Sequence, residues 1–265
     1  MVVPVRKAFI FLYFILLLNP YALRAACRDV NVASRFPALA HAAGTDAVIG
    51  YYGHNFFQII TKKGTRIITD PLGPGWYSDT NLSAHVVTVG REHFNHNYVE
   101  IVRGDPTVLR GLKGYGKDWN QVSLSFRDTF IYNVPIYQNG VEGSYLKGAA
   151  FMFDLGKLCI AHLGDLSHPL TPKQIKQMGK IDVALTPIGG RYTMGPETAR
   201  KVIGQLKPRI AIPMHHRDND YVVEEFARGF KVRQMDNHTL MVSKSSLPAP
   251  TEIVVLRPSG AMGYE

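Results

Sequence analysis

Residues 86–99 read VVTVGREHFNHNYV, and this stretch decides how the rest of the sequence is interpreted. Its first four residues, Val86–Val89, form a short β-branched run, which predicts a buried strand that ends at Gly90. His93 and His96 follow, three residues apart, in a loop or the first turn of a helix. Imidazole is the commonest metal ligand in proteins, so this pair indicates a metal site. The alternative, for an isolated pair, is two surface histidines that bind nothing.

Five further motifs accompany this stretch in a fixed order. They are Gly53-His54, Thr69-Asp70-Pro71, HLGDL at 162–166, TPIGG at 186–190 and IPMH at 212–215. With residues 86–99 they resemble the motifs of the metallo-β-lactamase fold hydrolases, in the subgroup that looks like the ascorbate-6-phosphate lactonases. The pattern of elements alone predicts an α/β or α+β chain with two sheets packed face to face. The resemblance implies the α+β form, an αββα four-layer sandwich.

The resemblance also implies a ligand set. In the family, two metal ions are held at the sheet edge by histidines and aspartates, and one aspartate bridges the two ions. Position by position, these ligands fall on Arg91, His93, Asn95, His96, Gln138, Asp165 and His215. Three of these positions depart from the family pattern, because Arg91 and Gln138 stand for histidines and Asn95 stands for an aspartate. Arginine has no lone pair to donate, so Arg91 works against the first metal.

The ligands that remain predict at most one divalent ion, zinc or another metal. His96, Asp165 and His215 supply three N/O ligands and leave an open position, as in a mononuclear catalytic zinc site. His93 remains from the first site. Asn95 could add an amide oxygen, but it cannot accept a proton, which is the role usually given to the family's aspartate. With three ligands lost, a centre that binds no metal is the other outcome.

Five neighbouring residues are predicted to support the site rather than to form it. Gln138 offers only a weak carbonyl ligand, and His54 and Asp70 are expected to be structural or to hold the ligands in place. His162 precedes Asp165 by three residues and is expected to orient it, while His216 could replace His215 as a ligand.

Two functions follow from these residues. The first is an exported hydrolase in which a metal-bound water attacks an ester, lactone or phosphoester, with Asp165, Asn95 and Arg91 in the catalytic machinery. Arg91 would then bind an anionic group of the substrate as a bidentate fork. The second is a degenerate, non-catalytic member of the fold, in which Arg91 pairs with Asp165 and the pocket binds an anionic ligand or partner.

Length and charge are compatible with both functions. The chain has 265 residues and is 46% hydrophobic, which suits a single domain with a full core. Its formal net charge is +9, and loss of the first 25 residues, which contain three cations and no acid, leaves +6. The basic residues are scattered, so a small anionic ligand is expected and a nucleic acid is not.

The N-terminus predicts export. Arg6 and Lys7 precede an unbroken apolar run at 8–18, which Asn19-Pro20 ends. This run is short for a membrane span, so residues 1–26 are interpreted as a signal peptide and residues 27–265 as one mature domain. The mature protein is expected in the periplasm or outside the cell and not on a membrane; an uncleaved anchor is the alternative.

The sequence contains two cysteines, Cys27 and Cys159. Lipidation of Cys27 is disfavoured by Arg24, which stands where a lipoprotein signal has a leucine-like residue. In an exported protein the two thiols could pair. Cys159 lies in the apolar run at 157–161, however, which favours a buried free thiol.

The secondary-structure pattern supplies the remaining expectations. Strands are predicted at 47–52, 56–61, 66–69, 86–89, 108–110, 122–125, 130–135, 149–153, 158–161, 182–186, 209–212, 232–234, 239–242 and 252–256. Helices are predicted at 97–102, 172–178, 196–206 and 221–228. Trp76 and Tyr77, on a glycine- and proline-rich loop, are candidates for lining a substrate pocket.

Overall fold

The computed structural model describes residues 27, 44–73, 81–140, 143–217 and 219–259. The predicted signal segment, residues 1–26, lies outside these residues, as do Trp76 and Tyr77. The described part contains sixteen strands, β1 to β16 in chain order: Ala47–Tyr51, Phe57–Thr61, Arg66–Thr69, Val86–Val89, Thr107–Arg110, Leu112–Lys113, Asp118–Trp119, Ser123–Phe126, Thr129–Asn139, Tyr145–Asp154, Cys159–His162, Val183–Pro187, Ile210–Met214, Lys231–Gln234, Thr239–Val242 and Glu252–Val255.

Two large sheets carry these strands. The first has the order β15-β1-β2-β3-β4-β5, and the second has the order β14-β16-β13-β12-β11-β10-β9-β8, while β6 and β7 form a small separate hairpin. In the second sheet, β8 to β11 run antiparallel and β11, β12, β13, β16 and β14 run parallel. The C-terminal ends of parallel strands meet at one edge of a sheet, which is where α/β sheets place their sites.

Three α-helices cover the second sheet: α1 (Pro172–Met178), α2 (Pro196–Leu206) and α3 (Asp220–Ala227). Both α1 and α2 begin with proline at the first position, where the missing N–H costs nothing. Thr171 and Gln174 form a capping box at the start of α1, and Asn219 caps α3. Among the described residues, no helix is long and apolar enough to span a membrane.

The core has one layer between the sheets and a second between the second sheet and the helices. Strand β10 divides them, because Phe151 and Phe153 point into the first layer and Met152 into the second. All three side chains are fully buried. A strand buried on both faces reads as a continuous apolar run, which is why the sequence indicated it clearly. The predicted α+β sandwich is therefore confirmed.

The outer face of the first sheet is covered differently. Ile68, Val87 and Val102 form a third apolar cluster there, packed under a 3₁₀ turn, Val99–Ile101. The predicted helix at 97–102 is wrong, since only this single turn forms. Two of its three residues, Val99 and Ile101, are β-branched, and β-branched residues have a lower helix propensity. The backbone is already extended at Val102.

Most other boundaries agree with the prediction to within one or two residues, and α1, α2, β3, β4 and β15 agree fully. Strands β9 and β10 are longer than predicted, because β9 continues past Pro135. Proline is tolerated there because β8 pairs only with residues 129–132, so β9 is an edge strand at Pro135, and its carbonyl accepts a hydrogen bond from Gln174 (2.9 Å). The extension carries Tyr137 and Gln138 to the sheet edge. The short strands β6 and β7 were not predicted.

A disulfide joins Cys27 to Cys159, across 132 residues. The expectation of a buried free thiol is therefore wrong, and the thiol of Cys27 is not available for lipidation. Both cysteines lie in the core layer between the second sheet and the helices. The Cys27 backbone is also held, because its N–H donates to Asp154 Oδ2 (3.2 Å) and its carbonyl accepts from Lys180 N (3.0 Å). This cross-link attaches residue 27 to β11.

Candidate metal centre

Three histidines from separate turns meet at the sheet edge. His54 follows β1, His96 follows β4 and His215 follows β13. One ring nitrogen of each lies within 4.8 Å of the others. Among the described residues, His54 Nδ1 is buried without a hydrogen-bond partner, and His96 Nε2 has no aligned one, although it lies 3.2 Å from Asp165 Oδ2. Buried polar atoms are nearly always paired, so these nitrogens indicate a missing ligand.

The turns that carry two of these histidines are conformationally unusual. His54 has φ 52° and His215 has φ 60°, both in the left-handed region that residues with a side chain seldom adopt. The two turns are joined, because His215 N donates to the His54 carbonyl (3.1 Å). Gly189 packs so close that a Cβ there would lie 2.0 Å from the His215 carbonyl oxygen. Backbone strain of this kind clusters at functional sites.

Asp70 fixes the orientation of His96. Its Oδ2 lies 3.0 Å from His96 Nδ1, and its Oδ1 accepts from Gly90 N (2.6 Å). A Cβ at Gly90 would lie 2.7 Å from the Ala149 carbonyl oxygen, so the close approach of this turn to β10 requires glycine. With Nδ1 bound to Asp70, His96 directs Nε2 into the centre. This is the usual way in which a carboxylate prepares a histidine for a metal.

Asp165 lies at the middle of the site, with its side chain 1% exposed. Arg91 Nη1 donates to Oδ2 (3.0 Å) and Asn55 Nδ2 donates to Oδ1 (2.7 Å). His96 Nε2 lies 3.2 Å from Oδ2, without hydrogen-bond alignment, and His215 Nε2 lies 3.7 Å from Oδ1. The carboxylate is therefore shared between the histidines and Arg91.

Gln138 connects Arg91 to Asp165. In the amide orientation that satisfies both neighbours, its nitrogen donates to Asp165 Oδ2 (2.7 Å). Its oxygen accepts from Arg91 Nε (2.8 Å) and Nη2 (3.2 Å). The Arg91 guanidinium is thus held by a carboxylate and an amide. Arg91 and Gln138 themselves stand in the two positions where the resemblance places metal-binding histidines. The Arg91 side chain remains 18% exposed, so it is accessible from outside while Asp165 is not.

The charges in the centre are strongly coupled. Burial by itself raises the pKa of the Asp165 carboxyl, but the neighbouring imidazoles, with His96 contributing most and His215 and His54 less, hold its pKa well below its usual range. Burial lowers the pKa of His96, yet Asp165 and Asp70 outweigh it and raise the pKa of His96 to about 9. Burial, followed by repulsion among the histidines, lowers the pKa of His54. Burial is also the main cause of the lowered pKa of His215. His54 and His215 therefore present neutral nitrogens at pH 7.

The other predicted residues lie around this centre. His93 is half-buried, and its Nδ1 accepts from Asn95 N (3.3 Å), while Asn95 Oδ1 is buried without a partner among the described residues. His162 is fully buried, and its Nε2 donates to the Asn55 carbonyl (2.9 Å) rather than to Asp165. Both ring nitrogens of His216 are buried and have no partner among the described residues. Burial lowers the pKa of His216 to about 4.

Asn55 is the site residue that the sequence analysis missed. It follows Gly53-His54 directly, is fully buried, and donates to Asp165 from 110 residues away. Its position beside the Gly-His motif was the available signal. A buried amide at the end of the first strand needs a partner, and the chain offers several carboxylates.

The arrangement fits a divalent cation. His54, His96 and His215 offer three ring nitrogens within 4.8 Å of one another, and nitrogen ligands suit zinc and its neighbours. Asp165 balances their charge. The other half of the centre holds the Arg91 cation, whose charge repels a metal ion beside it.

Comparison with known proteins gives consistent matches. A family profile described as "Beta-lactamase superfamily domain" matches residues 48–215. A UPF0173 metal-dependent hydrolase of Pyrococcus horikoshii is 34% identical over 194 residues, which cover 63% of this chain and 84% of that protein. One from Methanosarcina mazei is 32% identical over 225 residues, which cover 75% of this chain and 96% of that protein.

A solved structure is similar over most of its length. It is a proposed Zn-dependent hydrolase of the metallo-beta-lactamase superfamily from Thermotoga maritima. It has a TM-score of 0.62 and 29% identity, and it covers 79% of this chain and 98% of that chain. A proposed metal-dependent hydrolase from Parabacteroides distasonis has a TM-score of 0.58 at 19% identity and shares the fold.

Proposed function

The chain belongs to the UPF0173 metal-dependent hydrolase family of the metallo-β-lactamase superfamily, and from this premise we propose that it is an exported hydrolase that works with one divalent metal ion. Its substrate is an anionic ester, lactone or phosphoester. The finer resemblance to the ascorbate-6-phosphate lactonases stays a prediction.

The histidine cluster carries this proposal. His54 Nδ1 is buried and unpartnered, and it lies in one group with His215 and with His96, whose Nε2 makes no aligned hydrogen bond. Leaving buried polar atoms unsatisfied costs free energy, on the order of 1–3 kcal/mol each. A cation in the group would satisfy them. Compared with the ligands expected from sequence, His54 joins His96 and His215, and His93 lies outside the group.

A divalent ion held there would lower the pKa of a bound water and polarise the bond to be cleaved. The residues around it have separate tasks. Asp70 holds the His96 ring so that Nε2 points inward, and Asp165 provides a negative charge beside the histidines. Asn95 Oδ1 can accept a hydrogen bond from water, although it cannot take a proton.

Arg91 binds the anionic part of the substrate. Its Nη1, Nε and Nη2 atoms are already oriented by Asp165 and Gln138, so the fork loses little freedom when a ligand arrives. The guanidinium carries five N–H donors, and the contacts described use three of them, one each on Nη1, Nε and Nη2. The others can meet an anionic oxygen at the accessible side of Arg91.

Metal content of the purified mature protein tests the proposal. Elemental analysis should find about one divalent ion per chain, and His215→Ala should abolish it. His85→Ala is the matched control, because His85 lies at the opposite end of β4 from His96. Two tightly bound ions in the wild type, or undiminished metal in His215→Ala, would contradict the assignment.

The ion pair between Arg91 and Asp165 favours a second candidate, a non-catalytic anion-binding protein. In that case Asp165 serves only Arg91, and the centre binds neither metal nor substrate ester. The two candidates separate in one comparison. A wild type that lacks metal and activity, beside a variant Arg91→His, Asn95→Asp, Gln138→His that gains metal, would favour the second candidate over the first.

Export is the remaining part of the proposal, and the disulfide supports it. Disulfides persist in oxidising compartments and are rare in the cytosol, so the Cys27–Cys159 bond suits a periplasmic or secreted protein. Mass spectrometry of protein from its native host should give a mature N-terminus near Ala26 or Cys27. Recovery of an intact Met1 from the soluble cytosol would rule against export.

A further inference from the structure

Three aromatic side chains form a platform beside the centre: the exposed Tyr137 and Tyr145 and the half-buried Trp119. The rings of Trp119 and Tyr137 meet edge to face, with centroids 5.1 Å apart and planes at 85°. The Tyr137 and Tyr145 centroids lie 6.3 Å apart. Tyr137 is 41% exposed and Tyr145 is 68% exposed. Adjoining exposed rings are a common mark of a binding surface.

Backbone hydrogen bonds fix Tyr137 at the rim of the centre. Its N–H donates to His168 Nε2 (3.1 Å), and its carbonyl accepts from Ser167 N (3.1 Å). Ser167 and His168 lie two and three residues beyond Asp165. The next residue in β9 is Gln138, whose side chain contacts Asp165. The Tyr137 backbone is therefore held by the loop that follows Asp165, and the neighbouring residue in β9 contacts Asp165.

Trp119 is fixed as firmly. Its indole N–H donates to the Gly148 carbonyl (3.0 Å), and Lys147 Nζ lies 4.7 Å from the ring centroid. Lys147 also donates to the Lys117 carbonyl (2.9 Å) and to Asp118 Oδ1 (3.2 Å). These contacts keep a positive charge over the indole ring. The platform is thus rigid, aromatic and close to a cation.

We propose that this platform binds the planar aromatic ring of the substrate while Arg91 binds its anionic group. The inference rests on the proposed function and narrows its substrate class to a ring joined to a phosphate or carboxylate ester. A nucleotide and a simple aryl ester share this chemistry. An aromatic ring can stack on Tyr137 or Tyr145 through its π-face, which a saturated ring of the same size lacks.

Two matched probes test the proposal: phenyl phosphate and cyclohexyl phosphate carry the same charge and differ in planarity. Calorimetric titration of the zinc-loaded mature protein should show about tenfold tighter binding of phenyl phosphate, the scale of one aromatic contact. Tyr137→Leu should bring the ratio near one, and Tyr145→Leu should reduce it partly. Tyr221→Leu is the control, since Tyr221 is 69% exposed on α3, and it should leave the ratio unchanged.

A second pair of probes identifies the source of the ring. Tighter binding of adenosine 5′-monophosphate than of phenyl phosphate would indicate a nucleotide, and the reverse would indicate an aryl ester; either result supports the platform. Equal affinity for phenyl and cyclohexyl phosphate would overturn it, as would a ratio unaffected by Tyr137→Leu or the absence of binding by either probe.

The same titration on metal-free protein separates this inference from the proposed function. Arg91 and the platform belong to the chain itself, so the preference for the planar ring should persist without zinc. A protein that binds no metal but still prefers phenyl phosphate would contradict the hydrolase proposal and support the platform. A protein that binds one ion and shows no preference would do the opposite.

Discussion

The two halves of the centre hold positive charge by different means. In the histidine half, His54, His96 and His215 present nitrogens to a cation that must come from solution. In the arginine half, Arg91 is a cation built into the chain and held by Gln138. Asp165 lies between the halves and serves both.

This difference is the reason for proposing a single metal ion. Two unit charges 4 Å apart interact by about 4 kcal/mol at an effective dielectric constant of 20, so a divalent ion beside a guanidinium meets about 8 kcal/mol of repulsion. The single negative charge of Asp165 offsets part of this repulsion, for one cation in addition to Arg91. In this proposal the histidine half holds an ion and the arginine half excludes one. The same guanidinium that excludes a metal can attract an anionic substrate.

The largest expected effect comes from converting the arginine half into a histidine half. The triple variant Arg91→His, Asn95→Asp, Gln138→His removes the guanidinium and adds two imidazoles and a carboxylate. We expect two divalent ions per chain by elemental analysis, against one in the wild type. A triple variant that folds normally and still holds one ion would show that something other than Arg91 excludes the second metal.

A smaller effect is expected when only the guanidinium is removed. Arg91→Ala should weaken binding of phenyl phosphate by about 1.5–3 kcal/mol, the scale of hydrogen bonds to a charged group, while one metal ion remains bound. Arg91→Lys keeps the charge and loses the fork, so it should fall between Arg91→Ala and the wild type. Calorimetry measures all three, and unchanged affinity in Arg91→Ala would assign the anionic group to another residue.

Within the histidine half, Asp70→Asn tests the orientation of His96. The loss of a carboxylate behind a metal-binding histidine typically costs about 10–100-fold in metal affinity. We expect a reduction of this size in zinc competition titrations and no change in the ion count at saturation. Asp105→Asn is the control, because Asp105 is exposed on a loop. Equal affinity in both variants would mean that His96 does not hold the metal.

The smallest effect is expected for Gln138→Ala. Gln138 orients Arg91 but gives nothing to the histidine half, so zinc affinity should change less than about threefold, below the range for losing a residue that supports a ligand. Phenyl phosphate binding should weaken modestly, because the guanidinium retains Asp165. A large loss of zinc in this variant would make Gln138 a ligand and remove the distinction between the halves.

Much of the architecture followed from the sequence alone. The β-branched run Val86–Val89 is buried on both faces, and burial of that kind leaves a local signal that needs no tertiary information. Pro172 and Pro196 begin helices at the predicted residues, since proline at the first position acts within one turn. The order of motifs also indicated that His96, Asp165 and His215 would meet, as they do.

Other features were decided only by the tertiary structure. Arg91 and Asp165 are 74 residues apart, Asn55 and Asp165 are 110 apart, and the two cysteines are 132 apart. No local pattern encodes such pairings, because they depend on which strand ends the folded sheets bring to one edge. The entry of His54 into the histidine group depends likewise on the left-handed turns of His54 and His215, which a periodicity of two or 3.6 residues cannot reveal.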